Sequence, residues 1–207
     1  MSRVRIKICG VTRAEDARAA VRLGADALGF NFWPGSKRHV DPAVARGIID
    51  RLPPFVTPVG VFVNQSEADL RAIAAESGIR IFQLHGDEPP ELCARLPLPV
   101  VKAIPVDQVK TLSKLLSSEV SAFLLDTPSR GHGGSGQPFD WSLAEGVSEV
   151  APVILAGGLT PENVAAAVRA VRPYAVDVAS GVESSPGVKD MAKMSRFISA
   201  VREVDLP

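Results

Sequence analysis

A thiol and a carboxylate stand in matching positions far apart in this chain. Cys9 lies in Lys7-Ile8-Cys9-Gly10-Val11-Thr12, where an apolar strand runs out and a helix is about to begin. Gly10 allows a sharp turn there. Thr12 occupies an expected N-cap position, with Glu15 three residues on in capping-box spacing. A cysteine at such a junction becomes nucleophilic or basic when a helix N-terminus or a nearby cation favours its thiolate. Taken alone, such a cysteine also reads as a small buried core residue. Phe123-Leu124-Leu125-Asp126-Thr127 places a carboxyl group in the same relation to another strand. A base and an acid across one cavity suit a reaction that protonates one atom and deprotonates its neighbour.

Strand parity selects further residues, because side chains two apart share a side. Ile6 and Ile8 should face helices, and Lys7 and Cys9 the interior. Lys7 then lies about 6–7 Å below Cys9, close enough to favour the thiolate of a group whose ordinary pKa is about 8.5. Alternatively Lys7 pairs with an interior acid, for which Asp177 is a candidate. Gln83 and His85 share an inner face, with His85 read as a hydrogen-bonding wall residue rather than a metal ligand. Two glycine-bearing strand ends, Ala156-Gly157-Gly158-Leu159 and Ala179-Ser180-Gly181-Val182, suit a phosphate held by backbone N–H groups. Simple turn chemistry would also account for either one. Arg38, in Pro34-Gly35-Ser36-Lys37-Arg38, could fork onto a substrate carboxylate or be a solvated loop charge. Gly131–Gly136 reads either as a loop closing over ligand or as a loose connection.

The elements that must position these groups alternate. Strands are expected at Arg5–Cys9, Ala27–Phe32, Val59–Val63, Ile81–His85, Val100–Ile104, Ala122–Asp126, Val153–Ala156 and Ala175–Ala179. Helices are expected at Ala14–Leu23, Pro42–Leu52, Glu67–Ser77, Pro90–Arg95, Gln108–Leu116, from about Ser142, Pro161–Val171 and about Val188–Val201. Asp41, Ser66, Asp107 and Thr160 are the expected caps, and Gly24 and Gly78 the stops. Strict β/α alternation implies parallel strands joined by right-handed crossovers. Strand ends recur every 19 to 31 residues with no linker between them, so residues 1–207 read as one (β/α)8 barrel domain of the α/β class. An open doubly wound sheet is the competing architecture.

Composition narrows the class. Lys+Arg and Asp+Glu number 23 each, leaving no basic excess for nucleic acid and no cationic stripe for a membrane. No run of about 18 apolar residues suggests a membrane span. The first residues lack a secretory pattern, and two cysteines make no disulfide framework, so a reducing cytoplasm is expected. Three histidines and no CxxC pair argue against structural zinc.

With these residues placed, the chain closely resembles the phosphoribosylanthranilate isomerase family over essentially its whole length. The resemblance rests on Lys7-Ile8-Cys9-Gly10, Gly29-Phe30-Asn31-Phe32, Ser36-Lys37-Arg38, Gln83-Leu84-His85-Gly86, Leu125-Asp126, Gly134-Ser135-Gly136 and Phe139-Asp140-Trp141. Ala156-Gly157-Gly158-Leu159, Val176-Asp177-Val178 and Ser180-Gly181-Val182-Glu183 complete it. It implies an Amadori rearrangement of a phosphorylated aminosugar in tryptophan biosynthesis, with Asp126 as general acid and Cys9 as general base. It further implies that Arg38 binds the anthranilate end, and that Gly157, Gly158, Ser180 and Gly181 hold the phosphate. Lys7, Gln83, His85 and Asp177 are carried as substrate-side residues. No metal or organic cofactor is implied, and monomer and homodimer both stay open. The rival readings are a histidine-pathway or dual-substrate sugar isomerase, expected to use two aspartates, and a catalytically silent phosphate-ligand binding module.

Overall fold

The computed structural model describes residues 3–111, 120–127, 140–144, 146–149 and 151–204. Eight parallel strands close on themselves in chain order: β1 (Arg5–Cys9), β2 (Ala27–Asn31), β3 (Thr57–Phe62), β4 (Ile81–Leu84), β5 (Val100–Pro105), β6 (Ala122–Asp126), β7 (Val153–Leu155) and β8 (Ala175–Val178). The seam is β1 against β8, with Lys7 opposite Asp177 and Ile8 opposite Val178. The fold is therefore the expected (β/α)8 barrel, not an open sheet.

Helices α1 (Ala14–Leu23), α2 (Pro42–Ile49), α3 (Glu67–Ser77), α4 (Pro90–Arg95), α5 (Val164–Val171) and α6 (Met191–Arg202) pack outside the barrel. The sequence explains their ends. Asp41 accepts from the Ala43 N–H ahead of Pro42, Ser66 accepts from Asp69 N–H, and Gly78 ends α3 in the left-handed region. The outward side chains of the strands, Ile6, Ile8, Leu28, Phe30, Phe82, Leu125 and Val176 among them, form one core with the helices. The inward set is smaller. Val101, Ala103, Ala122, Leu124, Ile154, Ala156 and Ala175 make a separate apolar cluster inside the barrel. At the C-terminal end of the strands polar side chains, Cys9, Gln83, His85, Asp126 and Asp177, join Ala156 of that cluster. No helix among the described residues is long and apolar enough to cross a membrane.

Several expected elements change. Thr12 does not cap α1: its hydroxyl donates to Gly187 O, and Arg13 takes the N-cap position with no side-chain cap bond. The helix expected from Pro161 begins at Val164, because Asn163 ties the intervening turn back by accepting from Thr160 N–H and donating to Gly158 O. The stretch expected to open the last helix is instead a hairpin, β9 (Glu183–Ser185) and β10 (Val188–Lys189), turned at Gly187 with φ +81°. Asp190 then caps α6 by accepting from Lys193 N–H. After β5 the chain forms a 3-10 helix, Val106–Thr111, and the remainder of the helix expected over Gln108–Leu116 lies outside the described residues. The helix expected near Ser142 is two short 3-10 turns, Trp141–Ala144 and Val147–Glu149. Gly131–Gly136 and Phe139 also lie outside the described residues.

Phe62 is fully buried between Phe32 and Phe82, with ring centroids 5.4 and 5.5 Å away. Phe62→Ala should lower unfolding free energy by about 3–5 kcal/mol, read from the midpoint of a urea transition at unchanged slope.

Candidate active site

The C-terminal end of the barrel encloses a hollow of about 430 Å³ lined by residues from distant parts of the chain. Cys9, Arg38, Gln83, His85, Asp126, Gly157, Gly158, Asp177 and Ser180 all reach it. Two of the sequence candidates do not line it. Lys7 lies beneath, its side chain 5% exposed, and Gly181 stands behind the last loop.

The layer below Cys9 is a buried polar knot. Lys7 Nζ donates to Asp177 Oδ2 at 2.9 Å and to Gln83 Oε1 at 2.8 Å, so one ammonium joins β1 to its neighbour β8 and, across the barrel, to β4. Lys7 makes the ion pair with Asp177 and at the same time keeps a side-chain hydrogen bond to Cys9. Burial alone would lower the Lys7 pKa, but Asp177 and Cys9 outweigh it and hold it above its ordinary value. The other carboxylate oxygen, Asp177 Oδ1, is buried without a hydrogen-bond partner among the described residues.

Cys9 is half-buried, its sulfur over Gly29, where a Cβ would come within 2.7 Å. Burial pushes its thiol pKa up, the Asp177 charge adds to this, and the pull of Lys7 and Lys189 does not compensate. Lys7 does act in the expected direction, lowering the thiol pKa by its charge and by a side-chain hydrogen bond, but burial and Asp177 outweigh it and the unliganded site favours the thiol.

On the opposite wall, His85 Nε2 lies 3.2 Å from Asp126 Oδ2, and Gln83 Nε2 lies 3.3 Å from His85 Nδ1. Asp126 Oδ1 accepts from the Thr127 N–H at 2.8 Å. His85 is therefore a wall residue hydrogen-bonded to the carboxyl, as the strand parity requires.

Arg38 is not a loose loop charge. Its Nε and Nη2 fork onto Glu183 at 2.8 and 2.7 Å, leaving Nη1 outside that pair. Gly10 makes room for this approach, since a Cβ there would overlap Arg38 Cδ. Glu183 also accepts from Lys189 Nζ at 2.8 Å. The fully buried Lys189 side chain donates in addition to Cys9 O and Ala179 O, the ends of β1 and β8. Burial would raise the Glu183 pKa, but Arg38 and Lys189 together hold it below its ordinary value. Burial also lowers the Lys189 pKa, against the pull of Glu183. Sequence reasoning missed Glu183 and Lys189 as site residues. Glu183 stood in a recognised motif, but Lys189 had been placed on a helix, and only the hairpin brings it under the mouth.

The glycine loops have room for an anion. Gly157 holds φ +77°, and a Cβ would lie 2.5 Å from Thr127 Oγ1. At Gly181 a Cβ would collide with Leu159 O, so this glycine lets the two loops meet. Among the described residues the Gly157 and Gly158 N–H groups have no protein acceptor and stay available.

Barrel, thiol, carboxyl and glycine loops together define a (β/α)8 enzyme of the acid–base type, with its chemistry at the C-terminal mouth. Comparison with known proteins narrows the class. Residues 6–200 match the family model described as N-(5'phosphoribosyl)anthranilate (PRA) isomerase. A relative from Geobacter metallireducens named N-(5'-phosphoribosyl)anthranilate isomerase is 54% identical over 94% of this chain and 97% of its own. The phosphoribosyl anthranilate isomerase of Thermotoga maritima superposes with a TM-score of 0.89 at 46% identity, covering 96% of this chain and 98% of that one. Another solved isomerase of this kind, in complex with reduced 1-(o-carboxyphenylamino)-1-deoxyribulose 5-phosphate, has a TM-score of 0.85 at 44% identity and covers 96% of this chain and 98% of its own. The chain belongs to the phosphoribosylanthranilate isomerase family.

Because its pKa is raised, Cys9 should alkylate slowly at neutral pH. In a Cys93→Ser background, the iodoacetamide rate of the unliganded protein should reach half its maximum above the ordinary thiol pKa. A rate already maximal at pH 7 would contradict the electrostatics described here.

Proposed function

We propose that this chain catalyses the Amadori rearrangement of N-(5'-phosphoribosyl)anthranilate to 1-(2-carboxyphenylamino)-1-deoxyribulose 5-phosphate, an isomerisation of tryptophan biosynthesis. The observation that carries the reading is the shared hollow, which a thiol on β1 and a carboxyl on β6 both line beside the glycine loops. Asp126 gives its proton to the ribose ring oxygen. The ring C1–O bond breaks as the anthranilate nitrogen supplies its electron pair, leaving an iminium. Cys9, having passed its thiol proton to water as the cation forms, then removes as thiolate the C2 proton, whose bonding electrons move toward C1 and neutralise the iminium as an enolamine. Proton loss from the C2 hydroxyl and proton gain at C1 complete the ketone.

The raised thiol pKa fits this order. A cationic iminium beside the sulfur favours the thiolate when the base is needed, as any nearby positive charge does. The free Asp177 Oδ1 suits a substrate hydroxyl, and the unpaired Nη1 of Arg38 suits the anthranilate carboxylate. Gly157, Gly158 and Ser180 supply backbone to the phosphate, and Gly181 keeps their loops together. Lys7 and Gln83 support these groups from below. Residues 1–207 work as one catalytic unit in the cytoplasm, as a monomer or a homodimer, on this phosphorylated aminosugar.

Turnover of the fluorescent anthranilate aminoaldose tests the reading. Cys9→Ala and Asp126→Asn should each lower kcat by about 10²-fold or more, as loss of a general base or acid does. Near-normal turnover in either variant would remove that residue's role. Comparable wild-type turnover of the histidine-pathway aminoaldose would overturn the assignment to a tryptophan-specific isomerase, and ligand binding without conversion would reduce the protein to a binding module.

A further inference from the structure

We infer that Gln83 is a positioning residue that fixes which nitrogen of His85 carries the proton, and thereby keeps the proton of Asp126 aimed at the substrate. The second half rests on Asp126 being the general acid proposed above.

The chain of reasoning starts at Lys7. An ammonium only donates, so its 2.8 Å hydrogen bond to the Gln83 side chain must end on the amide oxygen. Gln83 is 1% exposed and Lys7 4%, so neither side chain has water to turn toward. The amide orientation is thereby set, and its NH2 faces His85 Nδ1 at 3.3 Å. That NH2 only donates as well, so Nδ1 must accept and carries no proton. A neutral imidazole with a bare Nδ1 carries its proton on Nε2. The Nε2–H then donates to Asp126 Oδ2 at 3.2 Å. A lysine three strands away thus dictates a histidine tautomer through one amide.

The consequence falls on the acid. One lone pair of Oδ2 accepts from His85, and one of Oδ1 accepts from the Thr127 N–H. The proton of a neutral Asp126 has to occupy another lone pair of a carboxyl that lines the hollow. His85 cannot take that proton. Its Nε2 is already filled, and a proton on Nδ1 would face the NH2 of Gln83, donor against donor. With Nε2–H fixed on Oδ2, the place left for the Asp126 proton is on the lone pairs that His85 and Thr127 do not engage. The other ionisable groups lining the hollow, Cys9, Lys37, Arg38 and Asp177, make no hydrogen bond to His85, so Gln83 and Asp126 decide its proton.

Long-range 1H–15N correlation spectra of protein labelled with 15N-histidine read the tautomer directly, with His85→Asn identifying the signals. The wild-type protein should show His85 protonated at Nε2 and bare at Nδ1. In Gln83→Glu a carboxylate replaces the NH2, so Nδ1 should gain a proton, and kcat should fall roughly tenfold or more with the loss of an efficient acid. In Gln83→Met, which neither donates nor accepts strongly, both tautomers should appear. A wild-type His85 protonated at Nδ1 would overturn the inference, whether or not the variants fold. So would a folded Gln83→Glu protein that keeps the wild-type tautomer. Near-normal turnover by Asp126→Asn would overturn the aiming of the acid and the general-acid reading together, while the spectrum tests the Gln83 assignment separately.

Discussion

The ion pair between Lys7 and Asp177 is the constraint on which the mouth of this barrel depends. It lies on the seam where β1 meets β8, the pairing that turns a sheet into a closed ring. Both side chains are more than nine-tenths buried, so neither charge has water to fall back on. Breaking such a pair by removing one partner costs about 3–5 kcal/mol, because it strands the other charge. Lys7 also donates to Gln83, and through it the pair reaches the far side of the barrel. Closure of the ring and orientation of the opposite wall are therefore set by the same ammonium.

A second buried network stands beside the first. Glu183 is held by Arg38 and Lys189, and Lys189 grips the carbonyl ends of β1 and β8. Asp16 at the start of α1 joins in by accepting the Lys189 N–H. The hairpin that carries Glu183 and Lys189 thus anchors three things at once: the strand end bearing Cys9, the last glycine loop and the arginine over the mouth. Arg38 is costly to immobilise, since a long side chain loses much rotamer freedom. Its bidentate fork onto a buried carboxylate means that this ordering is complete before any ligand arrives. An arginine so held presents its remaining N–H groups in one direction, which is what recognition of a planar carboxylate requires.

The barrel was legible because its signals are local and repeated. Short apolar strands alternate with capped helices, and alternation within a strand reveals which face looks inward. That rule placed Lys7 and Cys9 inside and put Gln83 and His85 on one wall, as observed. What escaped the sequence is contact between groups with no local pattern. Arg38 and Glu183 are 145 residues apart, and nothing in either segment announces the other. Lys189 was misplaced because Val188 and the apolar residues after it match a helix, whereas Gly187 bends the chain into a hairpin first. Thr12 fits a capping box equally well on paper, yet that hairpin offers its hydroxyl the carbonyl of Gly187. The direction of the Cys9 shift was hidden for a related reason. A cation two residues away predicts a thiolate, until the burial of the sulfur and the Asp177 carboxylate beside that cation are known.

The two walls of the hollow differ in how their protons are held. On the β1 side burial, then the Asp177 charge, favour the proton on sulfur in the empty site. On the β6 side Asp126 accepts from His85 at one oxygen and from the Thr127 N–H at the other. Both features store reactivity rather than display it. An exposed low-pKa thiolate would be open to oxidation and alkylation at all times. In the rearrangement proposed above, the positive charge that favours the Cys9 thiolate is the one created when Asp126 opens the sugar ring. On that proposal acid and base are coupled through the charge of the intermediate rather than through direct contact, and the glycine loops would fix where that charge appears by holding the phosphate.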